Sequence, residues 1–150
     1  MRRKTELIYG ARQSGKTTTL HRQFMNSDSP AAVIVPTVRH VRYWKSTYGI
    51  EDVYTITHAL AIPDRSHVFI DDAAEIGENL LEHVIQRYNT TLAVTPFIVK
   101  PIHKLWHTLL TAPYVDKLYL PLQPPIARMD LNPYAYMTSV LGQWIIQPHD

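Results

Sequence analysis

Two short groups of residues in this sequence have the types and spacing needed for chemistry on a phosphorylated ligand. The first is a glycine-rich turn in which Gly10, Gly15, Lys16 and Thr17 match the pattern G-x-x-x-x-G-K-[ST]. Glycines let successive main-chain N–H groups approach an anion, which the N-terminus of a following helix also attracts. Lys16 is placed to reach the β- and γ-phosphates, and the Thr17 hydroxyl is placed to bind Mg²⁺. The residues predicted to hold ATP are Gly10, Ala11, Arg12, Gln13, Ser14, Gly15, Lys16, Thr17 and Thr18.

The second group is a pair of acids that follows an apolar, β-branched run at residues 67–70. We predict that Asp71 binds Mg²⁺ and that Asp72 orients or deprotonates the attacking water, with Glu75 as the reserve for that role. The alternative is that the two acids form a strand-end turn and cap the next helix. The glycine-rich turn upstream favours the metal-binding interpretation.

Two further polar positions have weaker patterns. Thr95 ends a predicted strand and is placed to sense the γ-phosphate, because ligands of open α/β sheets collect at the carboxyl ends of strands. Its alternative role is to end that strand before Pro96. His103 and His107 lie four residues apart, but no third ligand has an evident spacing, so we favour a partly exposed pair over a metal site.

These groups require a framework of alternating strands and helices. Apolar runs predict strands at residues 7–9, 31–35, 53–56, 67–70, 91–95 and 117–120, the last at a sheet edge. Spacings of three and four predict helices at residues 17–25, 38–48, 76–88, 101–110 and 132–145. We therefore predict a single-domain, three-layer α/β fold with a mostly parallel central sheet.

The helix at residues 38–48 combines an apolar stripe with basic residues. Thr37 is predicted to cap it, and the stripe contains Val38, Val41, Trp44 and Tyr48. The basic residues either track phosphates or form a solvated helix face, and the second is favoured when they are considered alone; they are Arg39, Arg42 and Lys45.

Composition limits the partners without choosing one. The chain has 150 residues, 45% apolar and 19% charged, which suits one globular domain. No cysteine is present, so thiolate metal sites and nucleophiles are excluded. The formal charge of +2 permits contact with nucleic acid but does not argue for it. No run is long enough to cross a bilayer, and we expect a cytoplasmic protein without membrane contact.

Four segments together resemble the ATPase core of phage terminase large subunits, which are DNA-packaging motors of the RecA-like, additional-strand class of P-loop proteins. More distantly, they are similar to the first RecA-like lobe of DNA helicases. The resemblance covers about residues 6–96, and the remainder is expected to complete the sheet and pack helices against it. The segments are GARQSGKT at residues 10–17, AVIVPT at 32–37, FIDDAAEI at 69–76 and AVTP at 93–96.

The resemblance implies roles for individual residues and for partners. Lys16 and Thr17 would bind ATP and Mg²⁺, Asp71 would be the Walker B acid, and Thr95 would couple hydrolysis to movement. Arg12 lies where terminases often carry arginine. Terminases usually have Asp-Glu where this chain has Asp71-Asp72, so the resemblance leaves the rate of hydrolysis open.

The implied partners are double-stranded DNA, further copies of the chain in an oligomer or ring, and a separate nuclease or portal-type protein. We expect no nuclease domain in this chain and therefore no DNA cleavage by it. The transition state needs a cation opposite the loop, supplied by a neighbouring subunit or by Arg12. The alternatives are an ATP-binding switch with weak hydrolysis, a single-lobe helicase-like or AAA-type ATPase, and a nucleotide kinase, for which an arginine-rich lid is not evident. If the chain is viral, its expected location is the host cytoplasm.

Overall fold

The structure is a computed structural model that describes residues 3–11, 14–27, 30–61, 67–95 and 104–121. Arg12, Gln13, His103 and the predicted helix at residues 132–145 lie outside these ranges. Within the described ranges, no helix has the length and apolar composition to cross a membrane.

In the described part of the chain, six parallel strands form one sheet in the order β3-β2-β4-β5-β1-β6. The strands are β1 (Thr5–Gly10), β2 (Ala31–Val35), β3 (Val53–Thr55), β4 (His67–Ile70), β5 (Asn89–Val94) and β6 (Asp116–Leu120). The helices are α1 (Lys16–Met25), α2 (Val38–Tyr48), α3 (Glu78–Arg87) and α4 (Lys104–Thr111). Short 3₁₀ turns occupy Ile56–Ala61 and Ala73–Glu75.

The central strands are buried on both faces, which explains their nearly continuous apolar sequences. On one face, Leu20 of α1 and Trp44 of α2 pack against alternate residues of the sheet, including Ile8 and Val33. On the other face, α3 and α4 pack against the intervening residues, including Leu7. The molecule is therefore a three-layer α/β structure with an all-parallel sheet, which confirms the predicted fold class.

The observed elements differ from the predicted ones mainly at their ends. Ile76 is extended and Gly77 precedes α3, so this helix begins later than predicted because a separate 3₁₀ turn follows the acids. Val38 is exposed although it was assigned to the apolar stripe of α2. The Thr37 cap is confirmed, since its hydroxyl accepts a hydrogen bond from the His40 N–H at 3.3 Å.

The sheet order decides which residues can meet. Strand β5 lies between β1, which leads into the glycine-rich turn, and β4, which leads into the paired acids. All six strands are parallel, so their carboxyl ends lie at one edge of the sheet. Crevices at this edge are where open α/β sheets bind ligands.

Candidate functional site

The two glycines of the turn are required for different physical reasons. Gly15 has φ of 89°, in the left-handed region that favours glycine, and it directly precedes α1. Gly10 ends β1, and a Cβ at this position would overlap the carbonyl oxygen of Leu120 in β6 and lie 2.8 Å from Ser14 Oγ. The left-handed conformation of the turn therefore explains Gly15, and the close approach of the neighbouring strand β6 explains Gly10.

Lys16 is held against the loop that precedes it. Its side chain is largely buried, and Nζ donates to the main-chain oxygen of Ala11 at 2.6 Å. Nζ also donates to Ser14 Oγ at 3.4 Å. The ammonium group thus lies at the first residue of α1, where the helix N-terminus also favours an anion. Its role in phosphate binding remains a prediction.

The two residues predicted to bind the metal are in direct contact. Thr17 Oγ1 donates to the carboxylate of Asp71 and lies 3.1 Å from each of its oxygens. Trp44 Nε1 donates to Asp71 Oδ2 at 3.0 Å, and the Asp72 N–H donates to Oδ1 at 3.0 Å. Asp71 is only 4% exposed. The structure therefore brings the start of α1 and the end of β4 to one buried carboxylate.

Burial raises the pKa of Asp71 above its usual value, and the nearby charge of Asp72 raises this pKa further. The hydrogen bonds from Trp44 and Thr17 oppose both effects because they stabilise the carboxylate. A hydroxyl and a carboxylate are oxygen ligands of the kind that Mg²⁺ prefers, so the donor set fits this ion.

Asp72 and Glu75, the two candidates for water activation, lie beside the same histidine. Asp72 Oδ2 is 3.0 Å from His40 Nε2, and Glu75 Oε2 is 3.8 Å from it. Among the described non-glycine residues, Asp72 alone has a positive φ, at 48°. Glu75 lies on the 3₁₀ turn rather than on α3. The contacts do not choose between the two acids.

The His40 ring is also held at its other nitrogen, where Nδ1 lies 2.7 Å from Thr37 Oγ1. The neutral tautomer with its hydrogen on Nε2 satisfies all of these contacts. In that tautomer, the Thr37 hydroxyl accepts from the His40 main chain and donates to Nδ1, and Nε2 donates to Asp72. Thr37 therefore orients the histidine toward the acids.

The remaining predicted residues divide between the site and the surface. Thr95 is buried and directly follows Val94, which pairs with Tyr9, so Thr95 lies near the level of Gly10. His107 is exposed on α4. Thr18, Arg39, Arg42 and Lys45 are exposed as well.

Sequence reasoning missed His40 and Trp44 as contacts of the acids. The spacing predicts an apolar contact for Trp44, and no local pattern predicts a role for His40. Their four-residue spacing on one helix was a usable signal, because such residues share a helix face. The signal required the knowledge that β2, which leads into α2, lies next to β4.

Comparison with known proteins identifies the fold but not the family. No protein-family model and no curated protein matches the chain. Among solved structures, the chain is similar to the arterivirus nonstructural protein 10 helicase in complex with DNA, with a TM-score of 0.57 and 15% identity. The alignment covers 79% of this chain and 36% of the helicase chain.

The chain is also similar to the PRRSV helicase, with a TM-score of 0.56 and 12% identity over 77% of this chain and 30% of the other. The chain thus spans about a third of the length of the helicases it matches. Sequence identity this low establishes the fold alone. Together with the all-parallel sheet, the matches show an α/β fold shared with these helicase chains, of the P-loop NTPase-like kind.

Proposed function

We propose that this chain is a Mg²⁺-dependent ATPase that drives movement along double-stranded DNA, as a terminase-like motor subunit. The observation that carries the proposal is the contact between Thr17 and Asp71, 3.1 Å apart although 54 residues separate them in sequence. A glycine-rich turn and a pair of acids meet there at the carboxyl edge of a parallel sheet. This combination suits a triphosphate with its metal better than it suits other ligands.

Each residue would have a distinct role. Lys16 and the main-chain N–H groups of the turn would hold the phosphates, while Thr17 and Asp71 would hold Mg²⁺. When bound, Mg²⁺ neutralises charge on the phosphate oxygens. Asp72, or Glu75 in its place, would orient the attacking water. Thr95 would sense the γ-phosphate from the end of β5.

Charge on α1 and α2 supports a nucleic-acid partner. These helices contain two and three Lys or Arg residues, respectively, and no Asp or Glu. Such a surface attracts a phosphate backbone. The similar arterivirus helicase was solved with DNA. The exposed basic residues are Arg22, Arg39, Arg42 and Lys45.

An oligomer, such as a closed ring, belongs to the same proposal because the transition state needs a cation opposite the loop. An arginine in that place contributes about 10³- to 10⁵-fold in rate. A neighbouring subunit or Arg12 would provide it, and a nuclease or portal-type protein would bind separately. Turnover per subunit should fall on dilution below the concentration at which the oligomer dissociates. Constant turnover down to a demonstrated monomer would contradict supply by a neighbour.

The decisive experiment measures ATP hydrolysis with Mg²⁺, alone and with double-stranded or single-stranded DNA. We expect stimulation by duplex DNA and loss of hydrolysis in Lys16→Ala and Asp71→Asn. Stimulation by single strands only would favour the helicase-like alternative. Hydrolysis that survives both substitutions would show that the turn and the acids are not the active site.

A second candidate function, an ATP-binding switch with weak hydrolysis, is favoured by the contact between Asp72 and His40. In the switch, the 3.0 Å contact with His40 would withdraw the Asp72 carboxylate from water activation rather than orient it. Tight binding of ATP with negligible turnover, with or without DNA, would support the switch and exclude the motor.

A further inference from the structure

We propose that helix α2 positions the acid pair, with Trp44 holding Asp71 and His40 holding Asp72. The inference rests on the proposed nucleotide site but concerns residues outside the glycine-rich turn and the acids themselves. Both side chains belong to one helix, four residues apart, so they project from the same helix face. One rigid element would therefore set the orientation of both carboxylates.

The indole of Trp44 is fixed by its surroundings. The side chain is fully buried, and its ring centroid lies 4.8 Å from that of Tyr48 and 6.1 Å from that of His21. His21 and Tyr48 in turn stack at 4.1 Å. The indole N–H thus has little freedom, and it points at Asp71 Oδ2 from 3.0 Å.

Asp71 is consequently held from two helices. Thr17 of α1 contacts both carboxylate oxygens, and Trp44 of α2 contacts one of them. Thr17 is itself a predicted metal ligand, whereas Trp44 has no atom suited to bind Mg²⁺. Trp44 would therefore act only through the carboxylate, as a hydrogen-bond donor that fixes the orientation of a metal ligand.

His40 performs the corresponding task for Asp72. The helix cap Thr37 holds Nδ1 of the ring at 2.7 Å, and Nε2 meets Asp72 Oδ2 at 3.0 Å. Asp72 has left-handed backbone geometry, which persists in proteins where surrounding contacts maintain it. The histidine supplies one such contact. The chain of contacts therefore runs from the helix cap through the histidine to the acid.

The first test compares Trp44→Phe with Trp106→Phe. Trp106 is the matched control because it is also almost fully buried, but it lies on α4 against the opposite face of the sheet. The measurement is binding of a fluorescent N-methylanthraniloyl ATP analogue as a function of MgCl₂ concentration, with the thermal midpoint of each variant. This readout does not depend on turnover.

We expect Trp44→Phe to raise the Mg²⁺ concentration for half-maximal binding by about 10- to 100-fold, as found when residues supporting metal ligands are replaced. Affinity for the analogue without Mg²⁺ should not change. Trp106→Phe should leave the Mg²⁺ dependence as in the unmodified chain, even if it lowers the thermal midpoint. Equal Mg²⁺ dependence in the two variants would overturn the Trp44 assignment.

The second test uses His40→Leu and His40→Gln, with His83→Leu as the control on the exposed side of α3. Glutamine retains an N–H donor at a similar reach, whereas leucine does not. We expect His40→Leu to lower kcat by about 10- to 100-fold with little change in KM, and His40→Gln to recover most of the loss. An unchanged or raised kcat in His40→Leu, or equal losses in both variants, would overturn the His40 assignment.

The unmodified chain separates this inference from the proposed function. If it binds no analogue at any Mg²⁺ concentration, the nucleotide site itself is wrong and the inference falls with it. If it binds the analogue in a Mg²⁺-dependent way and Trp44→Phe behaves like Trp106→Phe, only the positioning role fails.

Discussion

The two faces of the sheet carry helices of different character. On the face that meets the acids, α1 and α2 contain basic residues but no Asp or Glu. On the other face, α3 and α4 contain two acids and two basic residues. The helices also differ in burial, since α1 and α2 each bury one apolar side chain, whereas α3 buries two and α4 buries three.

This difference indicates a division of work between the faces. Leu81, Val84 and Trp106 extend the larger apolar cluster on the α3 and α4 face, where burial stabilises the fold. The α1 and α2 face instead directs polar atoms to the site: Lys16, Thr17 and Trp44 all make hydrogen bonds there. Substitutions on the two faces should therefore change different observables, and four predictions test this.

The largest expected effect comes from Lys16→Ala, with Lys104→Ala at the start of α4 as the control. Loss of the buried ammonium should lower kcat/KM for ATP by about 10²- to 10³-fold, the range for removing a preorganised donor to developing charge. Lys104→Ala should leave kcat/KM unchanged. Steady-state hydrolysis and nucleotide binding are measured for both variants. Similar losses of kcat/KM in Lys16→Ala and Lys104→Ala would contradict the proposed difference between the two faces of the sheet.

Gly10→Ala should be the next largest effect, measured as the free energy of unfolding by urea. A methyl group at this position overlaps the Leu120 carbonyl oxygen, so β1 and β6 must move apart at a cost of about 1–3 kcal/mol. Gly77, before α3, has φ of −57°, and a methyl group there would meet no other atom within 4 Å. Gly77→Ala should therefore change stability by less than about 1 kcal/mol. A larger loss of stability in Gly77→Ala than in Gly10→Ala would show that β6 does not pack tightly against the turn.

The charge difference between the faces predicts which one binds DNA. Reversing two exposed charges on α2, in Arg39→Glu with Arg42→Glu, should weaken duplex binding. It should also reduce the slope of log affinity against log salt by about 0.9 for each phosphate that the protein no longer neutralises. The control reverses Arg87 and Lys104, on α3 and α4, and should leave the slope unchanged. Binding titrations at several salt concentrations measure both the affinity for duplex DNA and the slope. Equal slopes in the two double variants would show that DNA does not bind on α2.

The smallest effect concerns the pH dependence of stability without metal. Burial and Asp72 raise the folded pKa of Asp71 above the unfolded value, so the folded state keeps this proton at a pH where the unfolded chain has released it. Stability relative to Asp71→Asn should thus be greatest at acidic pH and fall as pH rises through the folded pKa. Chemical unfolding between about pH 4 and 7 measures the difference. A stability difference between the unmodified chain and Asp71→Asn that rises with pH would reverse the sign we assign.

The fold was largely predictable because its strands are recognisable by composition. Residues 31–35 and 67–70 are short apolar runs rich in β-branched residues, and both match the observed strands. The start of α3 was predicted too early because the spacing of Ile76 and Leu80 is helical although Gly77 and a 3₁₀ turn interrupt the helix. Local spacing alone does not locate such an interruption.

The site was predictable only in part. Thr17 and Asp71 were identified from templates that specify residue type and spacing, and the structure brings them together. His40 and Trp44 were missed because their contacts depend on the adjacency of β2 and β4, which no local pattern encodes. Asp72 and Glu75 remain two candidates for one role, since both lie beside His40.

The close approach of Leu120 to Gly10 links two distant parts of the sequence in evolution as well as in space. A relative that retained β6 on this path would have to retain glycine at position 10. One that lost or displaced β6 would be released from that requirement, whatever ligand it bound. Covariation between the residue at position 10 and the presence of a sixth strand would therefore reflect the packing of β6 against β1. It would not be evidence about nucleotide binding.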